Sequence, residues 1–191
     1  MRVQIALFAA TAIAAFAAST QAQTIVTHGV GLAHDCYIFA KAGNDPRTGV
    51  EVCNEALKRE MLTTKDQAAT HDNRGVILDV MGRVDEAADD FNAAIRLDPN
   101  LGDPYVNFGS MLIKKRQYEA ALDHINKGLD LGLNFPHIGY YDRAVAEQLM
   151  GRYKEAYYDY KKVLELEPNY EAATERLKDF TVTTVPKKAA S

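Results

Sequence analysis

The chain has 191 residues, of which 47% are hydrophobic and 25% are charged, values ordinary for a folded globular protein of a single domain. Its 22 basic and 26 acidic residues give a formal net charge of -4, and the basic residues form no block. This balance argues against nucleic acid and anionic membrane surfaces as partners.

The N-terminal 22 residues predict a secretory signal peptide. Arg2 gives a positive start, the run from Ile5 to Ala18 is apolar except for one Thr, and the segment closes on Thr-Gln-Ala, which has small residues at its first and last positions. The apolar run has 14 residues, whereas a membrane-spanning helix needs about 20. We therefore expect cleavage after Ala22 and no membrane span afterwards. In a Gram-negative bacterium, the mature protein is then periplasmic.

Two cysteines lie in the first helical part of the mature chain. Residues 23–33 lack a helical period and predict a lead-in, and a degenerate helix pair is predicted over 34–67. Cys36 and Cys53 fall one on each helix of this antiparallel pair, 17 residues apart. Paired cysteines in an oxidising compartment usually form disulfides. We predict a Cys36–Cys53 bridge, with two buried free thiols as the alternative.

A 20-residue motif recurs along the chain. Residues 81–100, MGRVDEAADDFNAAIRLDPN, return at 150–169 as MGRYKEAYYDYKKVLELEPN, with a degenerate copy between them. Ala87, Ala121 and Ala156 mark equivalent positions at intervals of 34 and 35 residues. A period of about 34 residues, with Ala, a bulky residue and Pro in fixed order, indicates a helical repeat array.

This pattern resembles the tetratricopeptide repeat (TPR) family over about residues 34–180. The resemblance implies an all-α fold, in which antiparallel helix pairs stack into a right-handed α-α superhelix. We predict three full repeats, a capping helix that ends the stack, and a disordered tail. Their bounds are 68–101, 102–135 and 137–170 for the repeats, 171–180 for the capping helix and 181–191 for the tail.

Three residues depart from the family pattern. Arg74 and Arg143 stand where Leu is usual, and Glu147 stands where Tyr is usual. These departures weaken the fit of single copies but leave the period intact. The family pattern is specific for a fold and says little about function, because one fold hosts many functions.

The resemblance also implies a binding groove. In TPR arrays the first helix of each pair lines the concave side, and four positions spaced three, four and three residues apart share one helical face. Carried over to this chain, the predicted groove residues are Asp72, Val76, Asp79, Val106, Ser110, Ile113, Tyr141, Val145 and Gln148. Because this face runs from acidic to apolar, we predict a peptide with apolar anchors and a basic end toward the two aspartates.

The family's clamp for a C-terminal carboxylate is not carried over to this chain. That clamp needs a cluster of Lys, Arg and Asn side chains in the groove. Only Asn73, Asn107 and Lys114 lie close to the predicted face. The sequence also leaves open whether the chain's own tail fills the groove.

The sequence contains no pattern typical of an active site. The five histidines are scattered, and Gly-x-Ser-x-Gly is absent. The acidic run between Asp85 and Asp90 is predicted to face solvent rather than a metal. We therefore predict a non-enzymatic scaffold without cofactor or metal that binds a protein or peptide of unknown identity. The alternative is an assembly component, a homo-oligomer or part of an envelope complex, that uses the outer tyrosines Tyr153, Tyr157 and Tyr158.

Overall fold

In the computed structural model of this protein, the described residues are 2–7, 23–24 and 31–185. Residues 31–185 form nine α-helices and one strand. The helices are α1 (Leu32–Ala42), α2 (Pro46–Arg59), α3 (Thr64–Val80), α4 (Val84–Leu97), α5 (Asp103–Lys114), α6 (Tyr118–Leu131), α7 (Pro136–Leu149), α8 (Tyr153–Leu166) and α9 (Glu171–Leu177). None of the helices in the described residues is both long and apolar enough to cross a membrane.

The first eight helices form four consecutive pairs, which stack as predicted. α1, α3, α5 and α7 contact one another in order and form an inner layer, while each partner helix packs on the outside. Ala87, Ala121 and Ala156 are each 0% exposed, because the paired helices approach closely at these positions. A Cβ atom added at Gly75 would lie 2.7 Å from the Phe91 ring. The predicted all-α superhelix of helix pairs is thus confirmed for the body of the chain.

The N-terminal helix pair carries the predicted disulfide. Cys36 on α1 and Cys53 on α2 are bonded to each other, with their Cα atoms 4.8 Å apart. Both side chains are 0% exposed. The bridge therefore fixes the first helix pair of the stack, which lacks the full repeat pattern.

Two strands accompany the helices in the part of the chain that the structure describes. β1 (Arg2–Leu7) pairs antiparallel with β2 (Phe180–Val185). The prediction of a disordered tail is therefore wrong for residues 181–185, because their β-branched run, Thr-Val-Thr-Thr-Val, favours an extended chain. The remaining tail residues lie outside the described residues. The capping helix was also predicted too long, since α9 ends at Leu177.

Only part of the predicted signal peptide is described. Residues 2–7 are the strand β1 of the full chain, and residues 8–22 lie outside the described residues. Cleavage after Ala22 would remove β1 and leave β2 without this neighbour. The cleavage itself stays a prediction.

Candidate functional site

The predicted groove residues lie on three neighbouring helices of the inner layer. α3 contacts α5, and α5 contacts α7. The inner-layer face of these three helices is called the groove below. By helix, the predicted residues are Asp72, Val76 and Asp79 on α3, Val106, Ser110 and Ile113 on α5, and Tyr141, Val145 and Gln148 on α7.

Most of these side chains are buried. The buried ones are Asp72, Val76, Val106, Ile113, Tyr141 and Val145, and the partly exposed ones are Asp79, Ser110 and Gln148. The Tyr141 ring packs with its centre 5.6 Å from that of Tyr160 and 5.3 Å from that of Tyr170. Such packing joins the third repeat to the residue that precedes α9. Burial favours a packing role for the apolar members, and their role as partner anchors stays a prediction.

Polar side chains cross the groove from helix to helix. The Asn107 amide on α5 donates to both carboxylate oxygens of Asp72 on α3, each at 3.0 Å. Lys114, also on α5, donates to the Asp79 carboxylate on α3 at 2.5 Å. The two helices are therefore linked by polar contacts at both ends of their shared face.

The electrostatics of the groove are dominated by buried carboxyl groups. Burial raises the pKa of Asp72 well above its usual value, and the Asn107 hydrogen bond offsets only part of this rise. Burial likewise raises the pKa of Asp142 on α7 to about 7, although the Lys114 charge and a Ser110 hydrogen bond act in the opposite direction. Since a buried carboxylate is stabilised by donors and positive charge, the groove suits N–H groups of a ligand.

Gln23, a residue that precedes the repeats in the chain, lies against this groove. The Gln23 backbone N–H donates to Asn107 Oδ1 at 3.0 Å, and the Asn107 side-chain amide donates to the Gln23 carbonyl at 2.8 Å. The Gln23 side-chain amide donates to the Phe135 carbonyl at 2.6 Å, and the Phe135 N–H donates to Gln23 Oε1 at 3.2 Å. Gln23 is 0% exposed, and Thr24 is 5% exposed.

The loop between the second and third repeats forms one wall of this contact. Asp103 at the start of α5 accepts hydrogen bonds from the Asn134 backbone N–H at 3.2 Å and from its side-chain amide at 3.1 Å. The loop is thereby fixed immediately before Phe135, the residue that contacts Gln23. Pro136 then begins α7, where its fixed φ suits a first helical position.

Sequence reasoning placed Asn107 beside the predicted face but not among the groove residues, and it missed Gln23. The predicted face took one narrow stripe per helix and included Val106 but not its neighbour Asn107. A helical face about 100° wide includes adjacent residues, so a broader stripe would have found Asn107. Gln23 is 84 residues away from Asn107 along the chain, and the single-sequence pattern held no signal for that contact.

The prediction that the acidic run on α4 faces solvent is wrong for one of its members. Asp90 is 4% exposed and accepts two hydrogen bonds from Arg74, at 2.6 and 2.7 Å. The desolvation cost of a buried carboxylate is offset by this pairing. Among the described residues, no cluster of His, Cys, Asp or Glu is suited to a metal ion.

The outer tyrosines of the assembly alternative differ in exposure. Tyr158 is 49% exposed, whereas Tyr153 and Tyr157 are partly buried. The Tyr157 ring centre lies 5.8 Å from that of Phe180 in β2. An oligomer interface on this face would therefore have Tyr158 as its exposed ring.

Two stretches of the chain match the tetratricopeptide repeat family, residues 68–101 and 137–170. The chain therefore contains tetratricopeptide repeats. Both stretches coincide with predicted full repeats. The predicted repeat between them, 102–135, forms the same kind of helix pair, α5 and α6.

Two relatives share the repeat region. The chain is 30% identical over 101 residues to the Lipoprotein NlpI homolog of Haemophilus influenzae. The aligned region covers 52% of this chain and 31% of that protein. It is 28% identical over 110 residues to the DnaJ homolog subfamily C member 7 homolog of Dictyostelium discoideum, which covers 58% of this chain and 20% of that protein. The matches thus span about a third and about a fifth of these relatives.

Solved structures share the same architecture. The first TPR of Spaghetti (RPAP3), bound to an HSP90 peptide, has a TM-score of 0.57 and 27% identity and covers 60% of this chain and 92% of that chain. MamA has a TM-score of 0.60 and 17% identity and covers 78% of this chain and 82% of that chain. The second likeness shows the fold alone.

Proposed function

We propose that this chain is a non-enzymatic interaction scaffold of the bacterial periplasm that binds an extended peptide segment of a partner in its groove. The observation that carries this proposal is the contact of Asn107 with the backbone of Gln23. One side-chain amide there satisfies both the backbone N–H and the backbone C=O of Gln23. Backbone groups of any extended peptide need such partners when they leave water.

Two comparisons support the proposal. A neighbour in fold with 27% identity, the first TPR of Spaghetti (RPAP3), is bound to a peptide. The compartment is supported by the leader-like sequence before Gln23 and by the likeness to a bacterial lipoprotein. An intact mass of the protein recovered from the periplasm, starting at Gln23, is the expected result for secretion.

Site-specific photo-crosslinking tests the groove. A crosslinker at Ser110, which is partly exposed in the groove, is compared with one at Asp123, which is exposed on the outer helix α6. In envelope extract we expect a protein adduct from the Ser110 position and none from the Asp123 position. Adducts from Asp123 alone would contradict groove binding. An adduct made of two copies of this chain would favour the homo-oligomer.

A further inference from the structure

Gln23 is recognised through every polar group it has. Its backbone N–H and C=O bond to Asn107, and its side-chain N–H and C=O bond to the backbone of Phe135. The residue is 0% exposed. Leaving a buried polar group without a partner is unfavourable, and the contacts with Asn107 and Phe135 give each polar group of Gln23 a partner.

The pairing distinguishes glutamine from residues of similar size. Glutamate has the same length, but its carboxylate cannot donate to the Phe135 carbonyl, which Gln23 Nε2 approaches at 2.6 Å. A carboxylate there would also join a groove that already holds buried Asp72 and Asp103. Asparagine is one methylene shorter and cannot reach Phe135 while its backbone stays on Asn107.

The end of the second repeat supplies half of this site. The first and third repeats end in Asp98-Pro99-Asn100-Leu101 and Glu167-Pro168-Asn169-Tyr170, whereas the second ends in Gly132-Leu133-Asn134-Phe135 and lacks the proline. Phe135 is followed by α7, whose Ile138 N–H also donates to the Phe135 carbonyl, at 3.0 Å. Asp103 fixes the loop through Asn134, so the Phe135 backbone is held in place for a ligand.

We infer that the groove contains a glutamine-selective subsite, formed by Asn107 and the Phe135 backbone, whose resident ligand is the chain's own Gln23. A partner segment must then present a glutamine and displace Gln23 to bind. The part of this inference that concerns a partner rests on the proposed function. The preference for glutamine can be tested without knowing the partner.

The test uses a labelled peptide, acetyl-QTIVTHGV, which copies residues 23–30. Acetylation keeps an amide N–H on the first residue and prevents its cyclisation. Fluorescence anisotropy measures binding to the full chain, to a Gln23→Ala variant whose own ligand is weakened, and to a Gln117→Ala control on the exposed surface. We expect the peptide to bind Gln23→Ala about tenfold or more tightly than the wild type or the control, because a tethered ligand competes at high effective concentration.

The peptide acetyl-ETIVTHGV provides a selectivity test that leaves the protein unchanged. This peptide should bind the Gln23→Ala variant about tenfold or more weakly than acetyl-QTIVTHGV does, since its glutamate lacks one hydrogen-bond donor and adds a buried charge. Adding Asn107→Leu to Gln23→Ala should abolish binding, whereas adding Asn100→Leu on an exposed loop should not. Equal affinities for the two peptides, equal binding to wild type and Gln23→Ala, or no binding to Gln23→Ala would each overturn the inference. Crosslinking of a partner at Ser110 would still uphold the proposed function in those cases.

Discussion

The outer two of the three full repeats differ from the middle one in the side chains that join the two helices of the repeat. In the outer repeats, an Arg on the first helix forms two hydrogen bonds with an Asp on the second helix. Arg74 pairs with Asp90 and Arg143 with Asp159, at 2.6 to 2.8 Å. Each Arg also donates to an Asn of the preceding helix pair, Asn54 or Asn126. These are the two arginines that depart from the family pattern.

In the middle repeat an aromatic pair takes this place. Phe108 packs on His124, 16 residues later, with ring centres 4.7 Å apart in an edge-to-face arrangement. The Arg–Asp pairs have the same separation of 16 residues. The comparison teaches that this position must join the two helices of a repeat to each other. Either a hydrogen-bonded ion pair or two rings in edge-to-face contact can do so, but the two arrangements differ in their response to mutation and pH.

The turn between the two helices of a repeat also differs between the outer repeats and the middle one. Gly82 and Gly151 adopt left-handed backbone conformations, with φ of 73° and 75°, in the outer repeats. In the middle repeat the equivalent residue is Arg116, with φ of 59°. Glycine tolerates this region, whereas a side chain is disfavoured there. The middle repeat therefore carries local backbone strain that the outer repeats avoid.

The largest effect is expected from Arg143→Leu, which restores the usual family residue. It leaves the Asp159 carboxylate, 7% exposed, without its cationic partner. Loss of one member of such a pair costs about 3 kcal/mol of unfolding free energy, measured by urea denaturation. The double variant Arg143→Leu/Asp159→Leu should recover most of this loss. If the single and double variants were equally unstable, the ion pair would not be the cause.

Arg74→Leu sharpens the comparison between the two outer repeats. In the Arg74→Leu variant, the Asp90 carboxylate keeps a second contact, with His71 Nδ1 at 2.8 Å. In the third repeat the residue equivalent to His71 is Tyr140, so Asp159 lacks a histidine contact of this kind. We therefore expect Arg74→Leu to cost less than Arg143→Leu, by about 1 kcal/mol. Urea denaturation of both variants at pH 6 gives the comparison, and an equal loss in both would contradict the role of His71.

The helix pairs could be predicted from the sequence because their signal is repeated. Ala87, Ala121 and Ala156 recur at a fixed period, and each copy supports the others. The partners of Arg74 and Arg143 could not be read from one copy, since the period showed only a mismatch. Comparison of both copies would have shown Asp 16 residues after each Arg. The contact of Gln23 with Asn107 is a single long-range pairing, and a repeated sequence pattern cannot predict it.

Arg116→Gly tests the strained turn of the middle repeat. Relief of a left-handed conformation in a non-glycine residue should stabilise the protein by about 1 kcal/mol, partly offset by the greater chain entropy of glycine when unfolded. The reverse change in an outer repeat, Gly82→Arg, should destabilise by a similar amount. Both are measured as shifts in the urea midpoint. A loss of stability in Arg116→Gly would show that the turn is not strained.

Glu147 separates the third repeat from the other two, which have Leu78 and Leu112 at this position. Burial raises the pKa of Glu147 to about 7, and the Asp159 charge adds to the rise. The unfolded chain releases this proton near pH 4.5, so stability is full below that pH and is lost as pH rises through about 7. Glu147→Gln should therefore stabilise the protein at pH 8 and not at pH 4.5. The gain should stay below about 1 kcal/mol because the side chain is partly exposed.

The smallest effect concerns His124 in the aromatic pair of the middle repeat. Burial lowers the pKa of its imidazole, with the Asp123 charge acting in the opposite direction. Its Nδ1 atom is buried without a hydrogen-bond partner. The unfolded chain takes up the proton first, near pH 6.5, so the stability from neutral His124 is present above that pH and is lost as pH falls below it.

His124→Phe should therefore remove a loss of stability that the wild type shows between pH 7 and pH 5. The groove carboxyl groups and Glu147 titrate in both proteins, so the difference between them isolates His124. Amide hydrogen exchange along α6 measures the effect in the middle repeat itself.

The outer repeats should show no such difference, since the Asp90 pKa is held below its usual value by Arg74 and His71, although burial acts against them. That carboxylate stays charged throughout this range. An equal change in protection in all three repeats would mean that the aromatic pair does not set the acid response of the middle one.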